Sequence, residues 1–186
     1  MSQEGNRDEA KLVAAARAGD RGAFDQIVAM HAPRLIRLAS GMLADLPDAE
    51  DAVQDALAAA WLALHRFDPA KPLGPWLSTI TINKCRDAMR RRTLRRFFRL
   101  GAADRLESLA DPEPASDRQF ASRQMMEMVQ REISRLPQRL KEPFVLVTFD
   151  GRSQAEAAAI LGVSEKAVEM RIYRARNRLR EKFTDF

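Results

Sequence analysis

Along most of the chain, apolar side chains recur at spacings of three and four residues, the period of a helix with one buried face. Leu12, Ala15 and Ala16 share such a face between Arg7 and Ala18, and Gly19 closes the segment. From Arg21 to Leu43 the pattern repeats with Phe24, Ile27 and Val28, then Leu35, Leu38 and Met42. Pro33 lies inside that stretch and must begin, kink or divide it, because proline has no amide donor and crowds the preceding turn. Asp45, Leu46 and Pro47 mark a third start, which predicts a helix to about Arg66 that buries Val53, Ala56, Leu57, Ala60, Trp61 and Leu64. Residues 68–75 hold three prolines and a glycine and read as a loop.

The next segment, Trp76 to roughly Phe98, contains a conflict. Thr79, Ile80, Thr81 and Ile82 favour a strand by propensity. Trp76, Ile80, Asn83, Asp87 and Arg90 nevertheless fall at helical spacing, and no partner strand is readable elsewhere, so a helix is expected. A polar stretch with Pro112 and Pro114 follows and reads as a linker. Beyond it, Phe120–Arg135 predicts a helix facing inward with Met125, Met128, Val129 and Ile133, ended by Leu136 and Pro137. Leu140–Phe149 adds Phe144, Val145 and Leu146 to a second core, and Asp150 with Gly151 breaks it. The expected fold class is all-α. Two small helical domains, 1–98 and 119–186, are joined by a flexible linker at 99–118.

The last segment, Ser153–Phe183, is the most informative. It reads as a short Ala-rich helix, a Gly-Val-Ser turn and a longer helix crowded with arginine, the pattern of a helix-turn-helix. Gly162 supplies the positive φ of a tight turn, and Ser164 can cap the second helix. Ala157, Ala158 and Leu161 form one inner face; Val168, Ile172, Ala175 and Leu179 form the other. Left outside are Lys166, Glu169, Met170, Arg171, Tyr173, Arg174 and Arg178. An ordinary helical hairpin with a solvated basic face is the alternative.

Charge separates the halves further. Residues 1–83 carry 8 basic and 11 acidic side chains, whereas 84–99 carry 8 basic and 1 acidic. Residues 100–120 return to 2 basic and 5 acidic, and 121–186 reach 13 basic and 9 acidic. Two basic blocks separated by acidic sequence suggest two contacts with one polyanion. The polar start is unlike a signal peptide, and the longest apolar run, Ala56–Leu64, is far short of the ~20 residues of a membrane helix. A lone cysteine, Cys85, leaves no internal disulfide and fits a reducing cytoplasm. His31 and His65 have no metal-ligand spacing. No nucleophile–base set, phosphate-cradling glycine loop or zinc motif asks for an enzyme, a metal or a cofactor.

Two constellations remain. Asp48, Glu50, Asp51, Gln54 and Asp55 admit a weak metal site, a charged helix start, or a docking surface for a basic partner; only docking accounts for all five. The run Lys84, Arg86, Arg90, Arg91, Arg92, Arg95, Arg96 and Arg99 is either a solvated face or a nucleic-acid track, and phosphates would relieve its self-repulsion. Trp76, just upstream, packs in a core or stacks on an unpaired base.

In this order, these residues resemble a small bacterial RNA polymerase sigma factor of the extracytoplasmic-function group across nearly the full chain. The motifs are DAEDAVQD at 48–55 followed by Trp61; Trp76-Leu77 with Asn83 and Asp87 ahead of three arginines; Leu136-Pro137; and QAEAAAILG at 154–162 through RIYRAR at 171–176. The resemblance implies a factor that directs core polymerase to specific promoters, serving as a stress- or envelope-responsive regulator in the cytoplasm. Asp48, Glu50, Asp51, Gln54 and Asp55 would dock on the beta-prime clamp. Trp76, Asn83, Lys84, Arg86, Arg90 and Arg91 would engage the −10 element, and Lys166, Glu169, Met170, Arg171, Tyr173 and Arg174 the −35 element. It also implies an anti-sigma partner, no cofactor and no membrane insertion. Thr81-Ile82 before Asn83, and Gly74-Pro75 before Trp76, depart from the family's pattern. A stand-alone helix-turn-helix regulator and a sigma-like decoy are the alternatives.

Overall fold

A computed structural model of the chain describes residues 3–99 and 117–183. The expected linker lies almost wholly outside the described residues. Four helices precede it: α1 (Gln3–Arg17), α2 (Arg21–Leu43), α3 (Leu46–Ala63) and α4 (Leu73–Arg99), with a 3-10 turn at Leu64–Arg66. Four follow it: α5 (Asp117–Arg135), α6 (Gln138–Thr148), α7 (Gln154–Leu161) and α8 (Glu165–Phe183). No strand occurs among the described residues.

Side chains set the helix ends as the pattern suggests. Asp20 and Asp45 accept from the amides of Ala23 and Asp48, at 3.1 and 3.2 Å, and so cap α2 and α3. Pro33 neither divides nor begins a helix, since α2 is continuous through it. The residue sits on the exposed side with Ala29, whose carbonyl loses its helical donor, so water can replace the lost bond. Helix α4 starts at Leu73, three residues before the expected Trp76, with Pro75 in its first turn, where no intrahelical donor is required. Within its β-branched stretch Thr79 and Thr81 return their hydroxyls to the carbonyls of Pro75 and Leu77, both at 2.9 Å, so neither hydroxyl is left without a partner inside the helix. Burial of Leu77, Thr81 and Ile82 against α2 and α3 overrides their strand propensity.

The first bundle is built from α1–α4 around Ile27, Leu35, Leu38, Met42, Val53 and Leu77. Trp61, expected inside, is half-buried and lies against Phe24 with ring centroids 5.0 Å apart. In the second bundle α6, α7 and α8 pack together around Val145, Leu146, Ala157, Val168 and Ile172. Two expectations for α5 change. Ile133 is buried, but Met125 and Met128 are 52% and 37% exposed, because α5 meets α2 and α8 through its C-terminal half.

The two buried cores are not separate: one apolar cluster runs through both bundles. Helix α2 meets α5 and α6, and α4 meets α7. Close approach is possible at Gly41, where a Cβ would stand 2.8 Å from a methyl of Val145.

Candidate nucleic-acid interface and its acidic neighbour

The turn-helix unit at the C-terminal end forms as its sequence requires. Ser153 Oγ accepts from the Glu156 amide at 3.1 Å, and Glu156 Oε2 accepts from the Ser153 amide at 2.9 Å, a complete capping box. Burial works to raise the Glu156 pKa, but these bonds from Ser153 and the charge of Arg152 bring it below the usual carboxylate range. Gly162 ends α7 in the left-handed region at φ +64°, and Ser164 Oγ accepts from the Ala167 amide to start α8. Val168, Ile172 and Ala175 are buried and Leu179 is half-buried. Lys166, Glu169, Met170, Tyr173, Arg174 and Arg178 are exposed, while Arg171 is half-buried at the edge of that face. Glu169 is paired with Lys166 at 2.7 Å, so the outer face of α8 carries an internal salt bridge rather than an unpaired carboxylate.

In the first bundle the acidic and basic stretches lie on adjoining helices. Helix α3 packs on α4, and this brings Arg91 to 3.9 Å from Asp55 and Arg92 to 3.7 Å from Asp48. All four side chains are about half exposed, so these pairs contribute little stability. They do answer the expected self-repulsion of the arginine run, together with the Arg90–Asp87 pair. Glu50, Asp51 and Gln54 remain exposed on α3. Among the described residues no three His, Cys, Asp or Glu side chains converge on a possible metal position.

The residues expected at an unpaired strand are not all presented alike. Asn83 and Arg90 are exposed, Lys84 half-buried. Trp76 is half-buried and tilted against Phe67, with centroids 4.9 Å apart, so it both packs and keeps an open edge. Arg86 is occupied: its Nε and Nη2 donate to Glu142 on α6 at 2.7 and 2.8 Å, and Nη1 donates to Asn83 at 3.0 Å. The hydrogen bond from Arg86 to Glu142 raises the arginine's pKa further.

Sequence reasoning missed the polar cluster between the bundles. Asp150 is buried, and its carboxylate accepts from Arg34 Nε at 2.7 Å, Ser78 Oγ at 2.6 Å and Arg152 Nε at 2.8 Å. These partners lie 116, 72 and 2 residues away, and only the last spacing is visible in the sequence. Cys85, also buried, has its thiol pushed up to about 12 by desolvation, against a smaller opposing effect from Lys141, so it stays protonated and unreactive.

Similarity to known proteins agrees with this arrangement. Residues 27–95 match the family described as Sigma-70 region 2, and residues 126–179 match Sigma-70, region 4. The RNA polymerase sigma factor CnrH of Cupriavidus metallidurans is 41% identical over 90% of this chain and 90% of its own. The ECF RNA polymerase sigma factor SigM of Mycobacterium tuberculosis is 38% identical over 93% of this chain and 83% of its own. The solved structure of CnrH in complex with the cytosolic domain of CnrY superposes with a TM-score of 0.73 at 35% identity, covering 96% of this chain and 98% of that one. The sigma factor RpoE of Bartonella quintana, solved with the anti-sigma factor NepR, gives 0.67 at 28% identity, covering 87% and 96%. With an acidic helix beside a basic one in the first bundle and a capped helix-turn-helix in the second, the chain belongs to the extracytoplasmic-function group of RNA polymerase sigma factors, which direct transcription to particular promoters.

Proposed function

We propose that residues 1–98 dock on core polymerase and open the −10 element, that 119–186 grip the −35 element, and that 99–118 connect them. The exposed carboxylates Glu50 and Asp51, with Gln54 and the outer edges of Asp48 and Asp55, form the polymerase contact on the beta-prime clamp. Asn83, Lys84, Arg90, Arg91 and the open edge of Trp76 face the separated strand, with Arg86 joining once it leaves Glu142. Met170, Arg171, Tyr173 and Arg174 read base edges in the major groove, and Lys166 and Glu169 flank them. The chain performs no chemistry of its own and acts in the cytoplasm. It is held in check by an anti-sigma protein, as the likeness to RpoE solved with NepR suggests.

The observation that carries this reading is the adjacency of α3 and α4. A regulator using the helix-turn-helix alone has no need for an exposed acidic face beside a second basic helix. In-vitro transcription over a pool of genomic fragments tests it. Purified chain plus bacterial core polymerase should yield promoter-dependent transcripts, and their absence removes the proposal. Arg174→Ala should weaken binding to the selected −35 sequence by about 1–3 kcal/mol. A filter-binding comparison with scrambled DNA checks the role: equal loss on both demotes Arg174 to a phosphate contact.

A further inference from the structure

The end of α2, the start of α3 and the facing sides of α4, α5 and α6 enclose a cavity of about 670 Å³. Small-molecule sites fall in the range ~300–1,000 Å³. Its lining is charged. Arg92 comes from α4, Arg131 and Arg135 from α5 and Lys141 from α6, against Asp45 and Asp48 at the start of α3. Four basic groups facing two acidic ones leave a surplus of two positive charges. None of the four basic side chains is among those assigned above to polymerase or promoter.

Lys141 is the anomaly among them. It is 4% exposed, yet among the described residues its Nζ meets only weak acceptors, the Met42 carbonyl at 3.4 Å and the Met89 sulfur at 3.7 Å. The groups around it supply no anion. Glu142 gives both carboxylate oxygens to Arg86 and shares one of them with Gln138. Cys85 stays a neutral thiol. Burial accordingly lowers the lysine's pKa, against a smaller opposing effect of Glu142. A buried ammonium without a paired anion is strongly disfavoured relative to water, and an anion entering the cavity removes that penalty.

The three arginines hold their present carboxylates loosely. Arg92 lies 3.7 Å from Asp48 and Arg131 3.7 Å from Glu127, all with exposed side chains, and Arg135 pairs with Glu132 one turn away on its own helix. Pairs with an exposed arginine exchange for a stronger acceptor at little cost. Guanidinium forks and an ammonium are the groups that bind phosphate oxygens. On the apolar side stand Met42, Leu43, Ala88 and Met89, a wall that suits the organic part of a phosphate ester. At its depth Lys141 lies out of reach of a DNA backbone. We propose that this cavity binds a small phosphate ester carrying at least two negative charges, with Lys141 at its floor and Arg92, Arg131 and Arg135 at its rim.

Isothermal titration of the full chain with ADP tests the site, with adenosine as the uncharged control. ADP should bind in the micromolar range at one site per chain and raise the thermal midpoint, and adenosine should do neither. Lys141→Met removes the ammonium but keeps the length of the side chain. It should cut ADP affinity at least about tenfold, while its own thermal midpoint equals or exceeds that of the wild type. A lysine with a purely structural role would lower the midpoint instead. If Lys141→Met loses helix by circular dichroism, Arg131→Gln decides, since that exposed side chain can be changed without touching the core. It too should weaken ADP about tenfold. Arg139→Gln, exposed on α6 and outside the cavity lining, should bind as the wild type does. Absence of ADP binding, equal binding of adenosine, unchanged affinity in the folded variants, or an equal loss in Arg139→Gln each overturn the site. Displacement of ADP by a short DNA duplex at equal phosphate concentration would assign the rim to a nucleic-acid backbone and overturn it as well.

Discussion

Asp51→Arg should abolish most binding to core polymerase and leave the chain's fold and −35 affinity intact. Of the acidic residues on α3, Asp51 is the clean probe. Asp48 and Asp55 lie within ion-pair reach of Arg92 and Arg91, so changing either also disturbs α4. Asp51 is exposed and sits one turn from Asp55 on the same face. An arginine there puts like charge against a basic partner, which costs about 2–4 kcal/mol at a specific interface, or roughly thirty- to a thousand-fold in affinity. A pull-down of core polymerase, with a −35 duplex shift as control, reads it. Equal capture of wild type and variant ends the docking role of this face.

Asp150→Ala should lower the stability of the whole chain by about 3–5 kcal/mol, because it strands a buried arginine. The Asp150 side chain is 0% and the Arg152 side chain 5% exposed, so water cannot replace the lost carboxylate. No buried side-chain nitrogen or oxygen among the described residues lacks a partner, and this change would take the acceptor from the buried Arg152 Nε. The double variant Asp150→Ala, Arg152→Leu should recover much of the loss, since it removes the buried arginine with its partner and leaves only Arg34, which is 29% exposed and can turn to water. Thermal or urea unfolding of the three proteins separates these outcomes. A loss below about 1 kcal/mol for the single variant, the level of an exposed pair, would mean that the cluster is open to water in solution.

Local signals carried most of the helix assignments. Capping residues, apolar spacing and the Gly162 turn act within a few residues of one another, so α3, α7 and α8 could be read with their ends nearly right. The inner face of the helix-turn-helix was equally legible, because Val168, Ile172 and Ala175 repeat at the helix's own period. Pro33 and the Thr79–Ile82 stretch were less so: packing and water access decided them, and neither is a local property. The same limit made Met125 and Met128 look buried, since periodicity names a face but not how far the neighbouring helices extend along it.

The site divides in the same way. Sequence alone determined which residues carry charge, which helices they occupy and the family motifs they compose; these depend on identity and short spacing. Only the tertiary structure decided that Asp48 and Asp55 approach α4 arginines, that Arg86 is held by Glu142, and that Arg34, Ser78 and Asp150 meet. Those contacts join residues 36 to 116 positions apart. The interaction falls off over ångströms in space, and a chain position says nothing about that distance until the bundles pack.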